Sequence, residues 1–272
     1  MTEHPILVLG ATGSTGRRVT ARLRAAGQPV RAASRSSGTP FDWTDPGTWK
    51  PVVAGARRMY LMAPDGVPVD ASFVACAVDE GVERIVLLSS RGIELMGDER
   101  LMAAERTVRE SGAAWTVVRP DWFNQNFDEG FLREAVRAGE VTLPLGDVRQ
   151  VFVDADDIAA VAVAALTEDG HSGQTYEVTG PRALSFAEAA ETIARVSGRP
   201  VRFRGATADF IAAQEALGLS RDDAEAVAEA FAALRDAGDG RTDDAVLRVT
   251  GRPPKDFESY AAEAAAQGAW RD

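Results

Sequence analysis

Along the first half of the chain, short runs of consecutive apolar residues alternate with longer stretches in which apolar positions recur every three or four residues. Residues 6–9, 30–34, 58–62, 84–88 and 115–119 read as strands buried on both faces. Residues 15–26, 69–80 and 98–111 read as amphipathic helices between them. This strand–helix rhythm predicts an α/β fold, a doubly wound parallel sheet with right-handed crossovers. Further strands are expected at 151–153 and 175–178, and further helices at 155–166 and 185–196. The alanine-rich end, 206–270, predicts two or three helices, with helical spacing over 209–217, 222–234 and 256–267. Gly251-Arg252-Pro253-Pro254 is a stiff turn before the last of them. No tandem repeat or low-complexity linker divides the chain. The expected organisation is one unit: a core of about 1–120 and 148–180, and a smaller, mainly helical lobe of about 121–147 and 181–272.

The turn between the first strand and the first helix is Gly10-Ala11-Thr12-Gly13-Ser14-Thr15-Gly16. Such a strand, glycine turn and helix can hold a dinucleotide pyrophosphate. Gly10 allows the tight turn, Gly13 lets the backbone approach the phosphates, and Gly16 lets the helix pack close to the sheet. The helix N-terminus, with Thr12, Ser14 and Thr15, faces the anion. The core is therefore expected to be Rossmann-type. The second strand ends in Ala33-Ser34-Arg35-Ser36-Ser37, with no acid to read an unphosphorylated ribose. Arg35 suits a 2′-phosphate, with Ser34 and Ser36 adding bonds. A charge-assisted hydrogen bond is worth about 1.5–3 kcal/mol, which favours NADP(H) over NAD(H) by roughly 10- to 100-fold. Phe41-Asp42-Trp43 is expected at the end of a short third strand, where Asp42 either accepts from the adenine amino group or caps the helix near Pro46. Ligands of such sheets sit at the carboxyl ends of the strands. Ala63 and Pro64 should thus lie under the pyrophosphate, and Ser89 and Ser90 should reach the nicotinamide ribose.

Composition narrows the partners. The chain has 272 residues, is 45% hydrophobic and carries a net charge of −11. That charge argues against nucleic acid as a partner, and no apolar run is long enough for a membrane span. Residues 1–5 run directly into the first strand and leave no room for a signal peptide; with a single cysteine, Cys76, a cytoplasmic location is expected. Two distant histidines, His4 and His171, and one cysteine do not compose a usual zinc site, so no metal is expected. The expected partner is a small-molecule substrate. Monomer and homo-oligomer are left equally open.

The ordered set of motifs resembles the NmrA-like, atypical short-chain dehydrogenase/reductase family. It comprises the glycine turn, Val86-Leu87-Leu88-Ser89-Ser90, Glu105, Val118-Arg119-Pro120, Phe152-Val153-Asp154-Ala155-Asp156-Asp157-Ile158-Ala159 and Gly173-Gln174-Thr175-Tyr176. The likeness covers nearly the whole chain. Ala33 to Ser37, Phe41-Asp42-Trp43, Pro120-Asp121-Trp122-Phe123-Asn124-Gln125-Asn126-Phe127 and Val249 to Pro254 are most similar to the branch with the ergot-alkaloid (festuclavine and agroclavine) dehydrogenases and their bacterial relatives. The resemblance implies NADPH-dependent reduction of an iminium carbon, in secondary metabolism. Other members are quinone reductases, and some sense the dinucleotide without turnover. It also implies that Pro120, Trp122 and Phe123 lie beside the nicotinamide.

The chain departs from ordinary short-chain dehydrogenases at the Tyr-x-x-x-Lys pair. Gly97 and Leu101 stand where those residues would be, and none of Tyr60, Tyr176 and Tyr260 lies four residues before Lys50 or Lys255. Hydride addition to a ketone makes an alkoxide that needs a proton donor. Addition to an iminium neutralises a cation, and addition to a quinone gives a stabilised phenolate. The expected activity is therefore NADPH-dependent reduction of an imine, iminium or quinone-like molecule. A non-catalytic redox sensor and a redox-neutral enzyme such as an epimerase are the alternatives.

The substrate wall is expected at Arg91, Trp122, Asn126 and Phe127, with Trp122 or Phe127 stacking on a flat ring or a cation. Packing between lobe and core is the competing role for these aromatics, and is favoured for Phe123. Asp121 either attracts a cation or caps the following turn. Asp98, Glu99 and Arg100 are further polar candidates in the segment that replaces the usual active-site loop. Asp98 also suits a helix N-cap, and the aspartates at 154–157 read as a helix start. Arg17 is expected to face solvent.

Overall fold

Ile6, Leu7, Val8 and Leu9 are completely buried, so the first strand has apolar cover on both faces. The structure is a computed structural model that describes residues 4–271. In chain order it runs β1 (Ile6–Leu9), α1 (Ser14–Ala25), β2 (Val30–Ala33), α2 (Trp49–Val53), β3 (Arg58–Leu61), α3 (Ala71–Asp79), β4 (Arg84–Leu88), α4 (Glu99–Arg109) and β5 (Ala114–Pro120). It continues through α5 (Arg133–Ala138), β6 (Glu140–Thr142), β7 (Arg149–Gln150), α6 (Ala155–Thr167), β8 (Gln174–Val178), β9 (Leu184–Ser185), α7 (Phe186–Ser197) and β10 (Arg202–Arg204). Four helices close it: α8 (Thr207–Ala216), α9 (Arg221–Asp236), α10 (Ala245–Thr250) and α11 (Phe257–Ala266).

Six strands form one parallel sheet in the order β2-β1-β3-β4-β5-β8. Alternate residues of β1 serve its two faces, as the pleat requires. Ile6 and Val8 join Val19, Leu23, Ile158 and Val246 beneath α1, α6 and α10. Leu7 and Leu9 join Val52, Phe73 and Val108 beneath α2, α3 and α4. Because β2 and β3 flank β1 on opposite sides, the crossover direction reverses there and opens a crevice at the carboxyl ends of the strands.

A third apolar cluster builds the lobe around Phe127, Phe152, Phe186 and Phe257, whose ring centroids lie 5.0–5.9 Å apart. Buried polar bonds tie this lobe to the sheet at the start of α6. Asp154 caps the helix by accepting from the Asp156 amide at 2.8 Å. Gln125 donates to Asp154 (3.2 Å) and accepts from the Ala155 amide (2.7 Å). Asp157, with a side chain only 1% exposed, accepts from the Lys255 amide at 2.7 Å and pairs with Arg252 at 2.6 Å. The aspartate-rich segment is thus a helix start, as its pattern indicates.

Three expectations need correction. Residues 151–153 are not a strand: they are buried, but pair with the neighbouring loop only through the Phe123–Val153 bridge. The strand lies just before, at Arg149–Gln150. The short third strand is reduced to a Ser34–Pro40 bridge, and Phe41 and Trp43 pack on Phe73 instead. The C-terminal segment has four helices, not two or three; α10 is too short to show a period, and it returns Ala245 and Val246 to the sheet-side core.

Asp157→Ala would leave the part-buried Lys255 amide without its acceptor and the half-exposed Arg252 without its ion pair, and should lower unfolding free energy in urea by about 1–3 kcal/mol. Asp156→Ala, at a half-exposed ion pair, should cost less than about 1 kcal/mol. Equal effects would contradict this account of the junction.

Candidate active site

Helix α1 begins immediately above the end of β1. Gly10 has φ of 63°, and a Cβ there would strike the Met62 sulfur. A Cβ on Gly16 would overlap the Gly10 carbonyl, so glycine alone permits this approach of helix to turn. The N-cap, Gly13, supplies no side-chain bond, and the first turn contains no acid. The helix therefore presents first-turn amides to the crevice without a protein cap, the arrangement that suits a pyrophosphate. These residues fit a dinucleotide on the structure's own geometry.

The strand ends bring the sequence candidates to one edge. Gly10, Thr12 and Gly13 follow β1; Ser34, Arg35 and Ser36 follow β2; Ala63 and Pro64 follow β3; Ser89 and Ser90 follow β4; Trp122 and Phe123 follow β5. Arg35 is exposed and makes no hydrogen bond or ion pair among the described residues. Asp42 turns back to accept from the amide and hydroxyl of Thr44, both at 2.8 Å, which hold its carboxyl below the usual range. Its capping alternative falls to Asp45, which accepts from the Gly47 amide.

A cavity of about 910 Å³ runs from Ser14 and Thr15 across Ala63, Pro64, Ser89 and Ser90 to Arg91, Trp122, Phe123 and Asn126. Leu95, Met96 and Phe131, all exposed apolar side chains, lie at its edge. Its far wall comes from the end of α9 and residues 237–241, with Gln150. Arg100 and Leu101 also line it.

Several candidates lie elsewhere. Phe127 is not a cavity wall: 1% exposed, it fills the lobe core, and its carbonyl accepts from the Trp270 indole at 2.7 Å. Asp98 caps α4 through the Leu101 amide, and Glu99 stands exposed in the first helical turn, so neither faces the cavity. Pro120 ends β5 outside the lining, and its carbonyl accepts from the Arg91 amide. Trp122 touches the cavity but also packs edge-on to Phe186 at 5.1 Å, so the wall and packing roles coexist.

Charges around the cavity are mostly compensated. Arg91 pairs with Asp121 at 3.1 Å and Glu177 at 3.0 Å, and donates to the Arg241 carbonyl at 2.6 Å. Burial raises the Asp121 carboxyl, while the Trp122 amide and Arg91 oppose that rise. Behind the strand ends, Glu105 is 1% exposed and accepts from Ser89 (2.6 Å) and twice from Arg119 (2.7 and 2.8 Å). The three tyrosine hydroxyls bond to Thr15, His171 and Asp128, and none lines the cavity.

Two groups here carry no sequence signal. Glu129 crosses from the lobe to the start of α1, accepting from Ser14 at 2.8 Å and Arg18 at 2.7 Å and pairing with Arg17, which therefore does not simply face solvent. Burial would raise Glu129, but these bonds hold it at about 2. Gln150 enters the cavity from the two-residue strand β7. Neither stands in a motif, because both act through tertiary contacts. Among the described residues no helix is long and apolar enough to cross a membrane.

A sequence pattern described as NAD(P)H-binding matches residues 39–169. The chain is 38% identical to the (4-alkanoyl-5-oxo-2,5-dihydrofuran-3-yl)methyl phosphate reductase of Streptomyces griseus, over 95% of this chain and 97% of that one. It is 35% identical to the NAD(P)H azoreductase of Xenophilus azovorans (97% and 99% covered) and 31% identical to festuclavine synthase I of Penicillium roqueforti (94% and 96%). In fold it matches the NADPH-dependent quinone oxidoreductase of Escherichia coli solved with NADPH, with a TM-score of 0.76 and 21% identity over 95% of this chain and 99% of that one. A Rossmann sheet, an uncapped helix start over a glycine turn, and full-length relatives above 30% identity lead to one conclusion: the chain belongs to the NmrA-like family of NAD(P)H-binding oxidoreductases.

Proposed function

We propose that the chain is an NADPH-dependent reductase of imine, iminium or quinone-like molecules, acceptors that take up hydride without a protein acid. The observation that carries this reading is the composition of the cavity wall. Leu101 lines it where a catalytic lysine would stand, no tyrosine reaches it, and Asp121 is held by Arg91 and the Trp122 amide. A ketone reduced there would leave an alkoxide with no proton source poised beside it. A cation, or a conjugated acceptor that stabilises its own negative charge, needs none. The relatives named above include an azoreductase, a reductase of an oxo-dihydrofuran phosphate and a festuclavine synthase, which supports this class.

NADPH, when bound, supplies the hydride. The chain's residues orient the partners. The first-turn amides of α1 hold the pyrophosphate, and Arg35 pairs with the 2′-phosphate. Ser89 spends its proton on Glu105 and so offers lone pairs, while Ser90 remains beside it at the ribose. Trp122, Phe123 and the apolar edge formed by Leu95, Met96 and Phe131 favour a flat, largely apolar acceptor and exclude water from the ring face.

Arg35→Ala should raise the dissociation constant for NADPH roughly 10- to 100-fold and leave that for NADH within about threefold, by fluorescence titration. A parallel loss for both cofactors would remove Arg35 from the phosphate site. Spectrophotometric assays at 340 nm should show kcat/KM for a quinone or a cyclic iminium at least about 100-fold above that for a simple ketone, as expected when acid catalysis worth about 10²–10⁴ is missing. Efficient ketone reduction would contradict the proposal.

A further inference from the structure

The cavity contains one polar side chain that is almost entirely withdrawn from bulk water and has no protein partner. Gln150 is 5% exposed, lines the cavity, and makes no side-chain hydrogen bond among the described residues. Its amide opens onto the cavity, where it is free to bond a ligand group.

Its position is built. In β7, successive side chains point to opposite sides: Arg149 turns outward to Glu188 at 2.7 Å, and Gln150 turns inward. The backbone is pinned on both edges. Gln150 pairs with Leu184 of β9, while Arg149 donates to the Asp239 carboxylate at 2.9 Å and accepts from the Gly240 amide at 2.8 Å. A Cβ on Gly240 would come within 2.8 Å of a Val151 methyl, so this close seat is specific to glycine. Asn126 is a second free amide on the cavity, but it is half-buried and open to hydration.

The remaining charges select the ligand's chemistry. Of the carboxylates on the cavity, Asp121 is paired with Arg91, which it shares with Glu177, and Asp239 is bonded to the Arg149 amide. Asp65 is exposed and follows Pro64 on the cofactor side. Arg241 lines the cavity without an ion pair. The free groups of the far wall are therefore the Arg241 cation and the Gln150 amide, which both donates and accepts; the unpaired positive charge favours an oxygen that gains electron density over a cationic nitrogen.

We propose that Gln150 is the substrate-recognising residue and that its amide donates to the carbonyl oxygen of a quinone-like acceptor. This rests on the reductase reading and narrows it from iminium to oxygen-bearing conjugated acceptors. In the step served, the acceptor gains one hydride from the dihydronicotinamide, and its conjugated π pair moves to the oxygen held by Gln150. One proton from water reaches that oxygen, proton exchange with water moves the added hydrogen from carbon to the second oxygen to complete the hydroquinone, and the cofactor leaves oxidised. The donor bond is stronger to the charged oxygen than to the neutral carbonyl, so it favours the transition state.

The test uses Gln150→Met, which keeps the volume, and Gln150→Glu, which keeps the shape but replaces the donor with a negative acceptor. Menadione and a cyclic N-methyl iminium salt serve as probes. Binding of menadione to the NADP⁺-loaded protein, where no turnover occurs, is read by calorimetry, and kcat/KM is read with NADPH. Gln150→Met should weaken menadione binding about 3- to 10-fold and reduce its kcat/KM about 10- to 100-fold, with iminium reduction and NADPH affinity within about twofold. Gln150→Glu should lower menadione reduction further and raise iminium reduction. Unchanged menadione kinetics, or equal losses with both acceptors, would overturn the assignment while leaving the reductase reading intact. A wild-type protein that reduces only the iminium would also overturn it. Turnover of neither probe would count against the reductase reading itself.

Discussion

The first turn of α1 rests directly on the Gly10 carbonyl, and the rest of the site follows from that contact. With no Cβ on Gly16, the helix sits low on the sheet and its free amides open onto the crevice between β1 and β3. Any side chain at Gly16 would lift the helix and turn those donors away from the strand ends. The crossover reversal at β1 then decides which strand ends share the crevice, so residues far apart in sequence become neighbours along one edge. Glu129 completes the arrangement from outside. It gathers Ser14, Arg17 and Arg18 and so joins the lobe to the uncapped start of α1.

The same edge divides its charges by task. Glu105 is buried behind the strands and serves structure, fixing Ser89 and Arg119. Asp121 is partly open to the cavity but already paired with Arg91. What stays unspent is Arg35 after β2 and, on the far wall of the cavity, the Gln150 amide and Arg241. A site with unspent donors and no tyrosine or lysine in its lining suits a reductase that relies on the acceptor's own electron sink.

The sheet was legible because strands buried on both faces leave uninterrupted apolar runs, and the glycine turn was legible because its spacing answers one steric demand. Burial alone does not specify pairing, however. Residues 151–153 are as apolar as a strand but meet a neighbour only at Val153, and Phe41 and Trp43 satisfy their apolar character against Phe73 without any ladder. Phe127 was misplaced for a related reason: an aromatic in a loop looks the same whether it faces a ligand or a core. Glu129 meets Ser14 across 115 positions, and Gln150 shares a cavity wall with residues 237–241, which fold against β7. Such long-range contacts leave no local period or motif to read.

The most direct test of the central claim, that this site transfers hydride without a protein acid, is the pH dependence of single-turnover reduction of a quinone by the NADPH-loaded protein in stopped flow. The account predicts a rate for dihydronicotinamide oxidation that stays flat from about pH 7 to pH 9.5, because no titrating donor takes part. A rate that falls about tenfold per pH unit above a single apparent pKa in that range would reveal a protein acid and contradict it.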